Sequence, residues 1–565
     1  MRVKALWAFF LMSGLLIAQD EEEKKPFEVG MVIDDSVADL EAPQWYPEIV
    51  SWQPAITAKN DEVQKHVHHG MALIHGGWDF EAYRHFVEAA KMDPECAMAY
   101  WGISLSLANP NAEMKEERMA SLDRMLDLVR AGKTTQLEQG QIEALAFLFS
   151  EEPEKAPKVY GMVAEEFPNN LQLALMAAFM KRDGYDALLG AGAGQTEAVA
   201  EVAELVEKNP ESQMALSFWV ALHAEHPDGS KQIRGEVLPR VRKLVAEAPE
   251  FPPYRELLGH FEFRSGNLHL ARREFSEAAR LYEEYLDAEG LEYYDCPNLI
   301  RARLYLATVA RNLGEDVEAL AIAESLSSLA IDDERLRSPG ATLLLWEGKT
   351  LGARLYLAKA ERGDFESGIQ TLPAKDEGEA LGRKSPAVMA WEAWRQILSA
   401  RKAIAEKEWK NVETYLTALA ASDSLLESAG PVVLQGSGRQ EWARTRQALK
   451  VEWMLAKAAI KTASGGEAGD GQASFWLRSA VDEQVPPRGI FPPILLVSPR
   501  LALAEYEAKT GKADSAREAY RAAMKASPNS VPVLKAFARF HESVGDEEAA
   551  AELRKHIEVV TTPPE

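Results

Sequence analysis

Residues 497–530 read VSPRLALAEYEAKTGKADSAREAYRAAMKASPNS, and residues 531–564 read VPVLKAFARFHESVGDEEAAAELRKHIEVVTTPP. The two blocks adjoin and share one length. On a common register the first carries Leu503, Ala504, Gly511, Ala516, Tyr520, Ala523 and Pro528 at positions 7, 8, 15, 20, 24, 27 and 32. The second carries Phe537, Ala538, Gly545 and Ala550 at positions 7, 8, 15 and 20. The register returns in Val63–Cys96, with Gly70, Leu73, Ala82, Phe86, Ala89 and Pro94 at positions 8, 11, 20, 24, 27 and 32. A fixed period of 34 residues marks a repeat architecture.

Looser copies lie between. Pro252–Tyr285 places Leu258, Gly259, Gly266, Ala271, Phe275 and Ala278 in register, and Ile300–Asp333 places Leu306, Ala307, Gly314 and Ala319. Each position has a physical reason. Small residues suit the place where two helices approach closely, and large ones fill the space beside them. Glycine at position 15 suits a helix C-terminal cap, which wants a left-handed residue. Asn209–Pro210 and Phe167–Pro168 mark helix exits, because the residue before proline resists the helical conformation. Strand signals are scarce.

These residues resemble the tetratricopeptide repeat (TPR) family, two antiparallel helices per unit. The resemblance implies an all-α fold, a right-handed α-solenoid of TPR-like helix pairs with irregular middle units. His69-Gly70-Met71-Ala72-Leu73 and the run Asp93-Pro94 through Cys96-Ala97-Met98-Ala99-Tyr100-Trp101-Gly102 look like the opening of exported bacterial TPR proteins. Leu257–Asn267 is similar to a later segment of that group. The likeness spans about 60–565 and implies architecture and export, with no activity attached.

Residues 1–18 read as a signal peptide, with Arg2 and Lys4 before the apolar run Ala5–Ile17, too short to span a bilayer. Cleavage after Ala18 would leave a soluble, exported chain in the periplasm or outside the cell, with no stable membrane anchor. Residues 19–60 are expected to be an extended Pro- and aromatic-containing arm laying Trp45, Tyr46 and Trp52 on the first helices. TPR-like repeats then fill 61–463, a Gly- and Pro-rich interruption 464–496, and the tandem pair 497–565. Within the interruption, Ile490, Phe491 and Ile494–Val497 are apolar residues in a loop and must be covered by the solenoid.

The formal net charge is −25, and loss of Arg2 and Lys4 with residues 1–18 makes it −27. Nucleic acid and anionic lipid both need clustered Lys and Arg, so neither is the expected partner. Two cysteines are too few for a disulfide framework. Repeat units that touch only their neighbours would hold Cys96 and Cys296 apart, as free thiols.

Enzyme motifs fail on inspection. Gly348-Lys349-Thr350 ends like a phosphate loop, but the required upstream glycine is Leu343. His541-Glu542 starts a zincin-like pattern, but Gly545 stands where the second histidine belongs. His66, His68, His69, His75 and His85 crowd one stretch, and His66 and His69 share a helix face. No third ligand at metal spacing follows, so packed neutral imidazoles are expected. His223 and His226 form a weaker pair. Trp391, Trp394, Trp442 and Trp453 recur at helical spacing, as core residues do. No cofactor is implied.

In peptide-binding TPR domains the first helix of each unit lines a concave groove. The resemblance therefore implies groove positions at His75, His260, Arg264, Arg301, Arg311, Lys535 and Arg539. Several are basic in an acidic chain and would suit acidic side chains or a C-terminal carboxylate. The expected function is a non-enzymatic scaffold that binds a protein or peptide outside the cytoplasm. The alternatives are a metal-dependent module or enzyme using the His cluster, and a glycan-binding protein using the tryptophans.

Overall fold

The computed structural model describes residues 26–563 except 50–53, 109–113, 151, 187–189, 227–232, 331–335, 337, 339, 359–363, 375–376, 378–380, 382–384, 434–438, 465–466 and 485–488. The signal peptide expected at 1–18, Trp52, Pro486 and Pro487 lie outside the described residues. No described helix is long and apolar enough to cross a membrane.

The fold is all-α, built from helix pairs, and it divides into two compact units. The first runs through Trp219 apart from a few residues, and the second takes up the chain from Val220. The first unit opens with an arm bearing a short turn, Val29–Val32, and a helical turn, Asp35–Ala38. Its helices are α1 (Asp61–Gly76), α2 (Asp79–Met92), α3 (Ala97–Ser106), α4 (Lys115–Arg130), α5 (Gln136–Leu148), α6 (Ala156–Glu166), α7 (Leu171–Phe179), α8 (Ala193–Lys208) and α9 (Gln213–Ala221). A small antiparallel hairpin between α7 and α8, β1 (Tyr185–Asp186) with β2 (Gly190–Ala191), pairs Tyr185 with Ala191 and goes with the second unit. Consecutive helices pack on each other across short links, which makes each pair antiparallel.

The second unit begins with α10 (Leu238–Glu247), α11 (Pro252–Arg264), α12 (Leu268–Glu289), α13 (Pro297–Leu313) and α14 (Asp316–Ser327). An irregular stretch follows: Ala341–Leu343, a π-helical turn at Leu344–Gly348, then α15 (Leu351–Ala358) and α16 (Phe365–Gln370). Regular pairs resume as α17 (Pro386–Glu406) with α18 (Trp409–Val433), and α19 (Arg439–Ser464) with α20 (Glu467–Glu483). The last two are α21 (Pro499–Lys509) with α22 (Ala513–Ala526), and α23 (Val531–Ser543) with α24 (Glu547–Thr561).

The register positions do what their chemistry demands. At position 8 a Cβ on Gly70 would stand 2.8 Å from the Phe86 ring, and one on Gly259 would stand 2.9 Å from Phe275. The bulky residue at position 24 thus occupies the room the glycine leaves, at the close approach of one pair. At position 15, Gly511 (φ 76°) and Gly545 (φ 79°) take the left-handed conformation that ends their helices.

Two expectations need correction. The Gly-rich part of 464–496 holds a helix, α20. Ala473, Leu477 and Ala480 recur on one face and bury against Val451, Leu455 and Ala458 of α19, and that packing outweighs the helix cost of Gly471. Finally, units do not touch only their neighbours. The last pair returns to the first pairs of the second unit: Asn529 Nδ2 donates to the Gly266 carbonyl at 2.8 Å, and His269 Nε2 to Val560 O at 2.9 Å. Gly266 faces Pro528 so closely that a Cβ would stand 2.9 Å from it.

The Pro-rich connection from α20 to α21 is covered as its apolar residues require. Ile494 joins the core cluster of Leu345, Trp391 and Trp394, while Phe491 and Leu496 pack against that of Ile300 and Leu344. Trp391 and Trp394 are core, and the Trp391 indole donates to Leu345 O. Trp442 and Trp453 lie half-buried beside them. Cys96 and Cys296 are free and buried, and burial pushes both thiols up to about 12.

Candidate functional site

In the first unit the histidines of α1 and α2 form one cluster that holds the arm. His85 Nε2 faces the Gln44 carbonyl at 2.9 Å, so it carries a proton there and leaves Nδ1 as an acceptor. His66 Nδ1 lies 3.0 Å from that atom and must be the donor. His69 Nε2 accepts from the Tyr46 amide at 3.1 Å. With the rings neutral, these contacts set one tautomer for each. Trp45, about half exposed, covers all three rings at centroid distances of 4.7, 5.0 and 4.9 Å. Tyr83, from α2, adds two bonds to the arm: its hydroxyl donates to Val32 O at 2.8 Å and accepts from Asp34 N at 2.9 Å.

Burial is the main reason these rings resist protonation. It holds His69 at about 4, with His66 adding repulsion, and His85 at about 2, with repulsion from His69 next in size. His66 is lowered by burial and partly restored by Glu88 and Glu62. Among the described residues no group of three or more His, Cys, Asp or Glu has metal-holding geometry. His75 lies apart from this cluster. Its ring sits 5.1 Å from Phe218, both ring nitrogens are enclosed without a partner, and burial holds it at about 3.

In the second unit three of the groove candidates converge on Tyr305. Its hydroxyl lies 2.7 Å from His260 Nδ1, while His260 Nε2 donates to Ala224 O at 2.9 Å. Arg264 donates to the carbonyls of Ala224 and His226. Arg301 grips Glu256, with Nη2 3.0 Å from Oε2, and Asn298 and Tyr282 donate to the same carboxylate. Burial and then Arg264 hold His260 at about 3. Arg311 belongs elsewhere, bonded to Asp316 and the Ala358 carbonyl. Lys535 and Arg539 are exposed on α23.

Register reasoning missed the rest of this face. Arg444 of α19 pairs with Glu347 and donates to Pro492 O, and Arg354 of α15 donates to Ile494 O at 3.1 Å and Glu347 O at 2.8 Å. The guanidiniums of Arg444 and Arg301 lie over the Phe491 ring, 4.6 and 5.7 Å from its centroid. These residues come from the irregular middle of the chain, where no clear repeat assigned a groove position. Lys349 of the false phosphate loop is buried instead, donating to Ser327 O and Leu329 O near the end of α14.

The architecture defines a helix-pair repeat protein of TPR-like build. No family model matches the chain, and no curated protein matches it. Among solved structures it is similar to human IFIT1 in a dimer with m7Gppp-AAAA, at 13% identity and a TM-score of 0.31, covering 91% of this chain and 92% of that one. It is also similar to yeast Tom70, at 10% identity and 0.23, covering 87% and 97%. The TPR domain of P58(IPK) aligns at 14% identity and 0.20, covering 87% and 98%. At such scores the fold assignment stands on the chain's own helix pairing.

Proposed function

We propose that this protein is a non-enzymatic scaffold that binds a protein or peptide partner outside the cytoplasm, through the faces formed by the first helices of its pairs. One observation carries the reading. In a chain of net charge −25, the second unit brings Arg301, Arg354 and Arg444 onto one stretch that is neither helix nor strand: Arg444 and Arg301 lie over the Phe491 ring, and Arg444 and Arg354 donate to Pro492 O and Ile494 O. Arginine forks reading carbonyl oxygens and an aromatic ring are what peptide recognition requires. Export rests on the charged start and short apolar run of residues 1–18.

The test has two arms. Cell fractionation followed by mass spectrometry of the N-terminus should find the chain outside the cytoplasm, beginning at Gln19. Cross-linking and co-purification from that compartment should return one partner in stoichiometric amount, retained through re-purification. An intact Met1 in the cytoplasm ends the export reading. A chain recovered alone at every salt concentration ends the scaffold reading.

A further inference from the structure

The connection between α20 and α21 runs from Gln484 to Ser498, whereas Ser527–Ser530 suffices to join α22 to α23. Its described part, Gly489–Val497, is neither helix nor strand and bends at several residues. Among the described residues none of its backbone groups bonds to another backbone group. Its carbonyls instead accept from side chains: Pro492 O from Arg444 and Ile494 O from Arg354. Phe491 lies under two guanidiniums, and each of those is aimed by a carboxylate, Glu256 for Arg301 and Glu347 for Arg444. Most residues from Ile490 to Val497 stay half-buried, with Pro492 and Ile494 as the buried anchors.

Beside the core packing of Ile494, this reading of carbonyls and of an aromatic ring by side chains is how a protein holds a peptide ligand. Pro492 and Pro493 lack N–H groups to satisfy and favour the extended conformation before binding, which lowers the ordering cost. We propose that Gly489–Val497 is a tethered occupant of a peptide site, and that the site accepts in trans a segment of the same chemistry, an aromatic residue followed by two prolines and a branched aliphatic. This rests on the scaffold reading and specifies what one face of it recognises. The occupant is linked at both ends, so its local concentration is on the order of millimolar and it screens the site from weak competitors. A partner must match its pattern to displace it.

The probe is a fluorescein-labelled peptide, GIFPPILLVSP, titrated by anisotropy against three full-length proteins. These are the natural chain, Phe491→Ala, and a chain with Gly489–Val497 replaced by an equal length of Gly and Ser. Both variants should bind the peptide at least tenfold more tightly than the natural chain, and a peptide with its Phe replaced by Ala should lose that gain. The proposal is overturned if Phe491→Ala, folded by circular dichroism, binds no better than the natural chain. It is also overturned if the Gly-Ser replacement unfolds, since the segment is then core and not occupant. Neither result touches co-purification of a partner by the natural chain, so failure here is separable from failure of the scaffold reading.

Discussion

Both units perform one task with different chemistry. Each holds a stretch of chain that lacks regular structure by offering side-chain groups to its backbone. In the first, imidazoles of α1 and α2 take Gln44 O and the Tyr46 amide. In the second, guanidiniums of α15 and α19 take Ile494 O and Pro492 O. An imidazole can donate or accept, and it works here only while neutral. A guanidinium only donates and keeps its charge at any ordinary pH. The arm is therefore held by a pH-sensitive grip and the inner segment by a pH-indifferent one.

Acid gives the largest expected effect. His66, His68, His69, His75 and His85 of the first unit all have lowered values, against His260 and His269 in the second. A histidine depressed on folding contributes stability that is whole above its unfolded value near 6.5 and is lost as pH falls. Each one that must take up a proton steepens the loss by about 1.4 kcal/mol per pH unit. Hydrogen exchange between pH 6.5 and 4 should show the arm and α1–α2 opening before α11–α24. Equal loss of protection in both units would break the contrast.

Next in size is Glu256→Ala. It strands the Arg301 guanidinium, largely buried at 19% side-chain exposure, and should cost about 3–5 kcal/mol in denaturant unfolding of the second unit. Trp45→Ala should cost less, about 1–2 kcal/mol, because the indole is already about half exposed; the first-unit transition alone should shift. Gly511→Ala forces a left-handed alanine at a helix end and should cost about 1 kcal/mol. Smallest is Lys535→Glu with Arg539→Glu on exposed positions of α23, within about 0.5 kcal/mol. A larger loss there would show that these side chains support the fold.

Much of the fold was legible because the repeat speaks through local geometry. Glycine at position 8 declares a bulky residue opposite, and glycine at position 15 declares a helix end. The helix α20 was not legible, because the apolar face of Ala473, Leu477 and Ala480 is diluted by glycines and only its partner α19 reveals the match. Register named His260, Arg264 and Arg301 as groove positions but said nothing of the Ala224, His226, Tyr305 and Glu256 contacts they make. Arg354, Glu347 and Arg444 it could not place, since they meet across 97 residues and no periodic pattern links them. The histidine cluster was recognisable as packing, while its tautomers depend on the Gln44 carbonyl and Tyr46 amide, which no spacing announces.

The seam joining Gly266 to Asn529 and His269 to Val560 has a further consequence. An open stack of helix pairs can gain or lose a member at its end and remain the same kind of object. The second unit cannot, because its last pair must arrive where its first pairs wait. One pair more or fewer would miss the meeting point. Its length is thus set by closure, and trimming α23–α24 should cost the whole unit cooperativity rather than one increment of it.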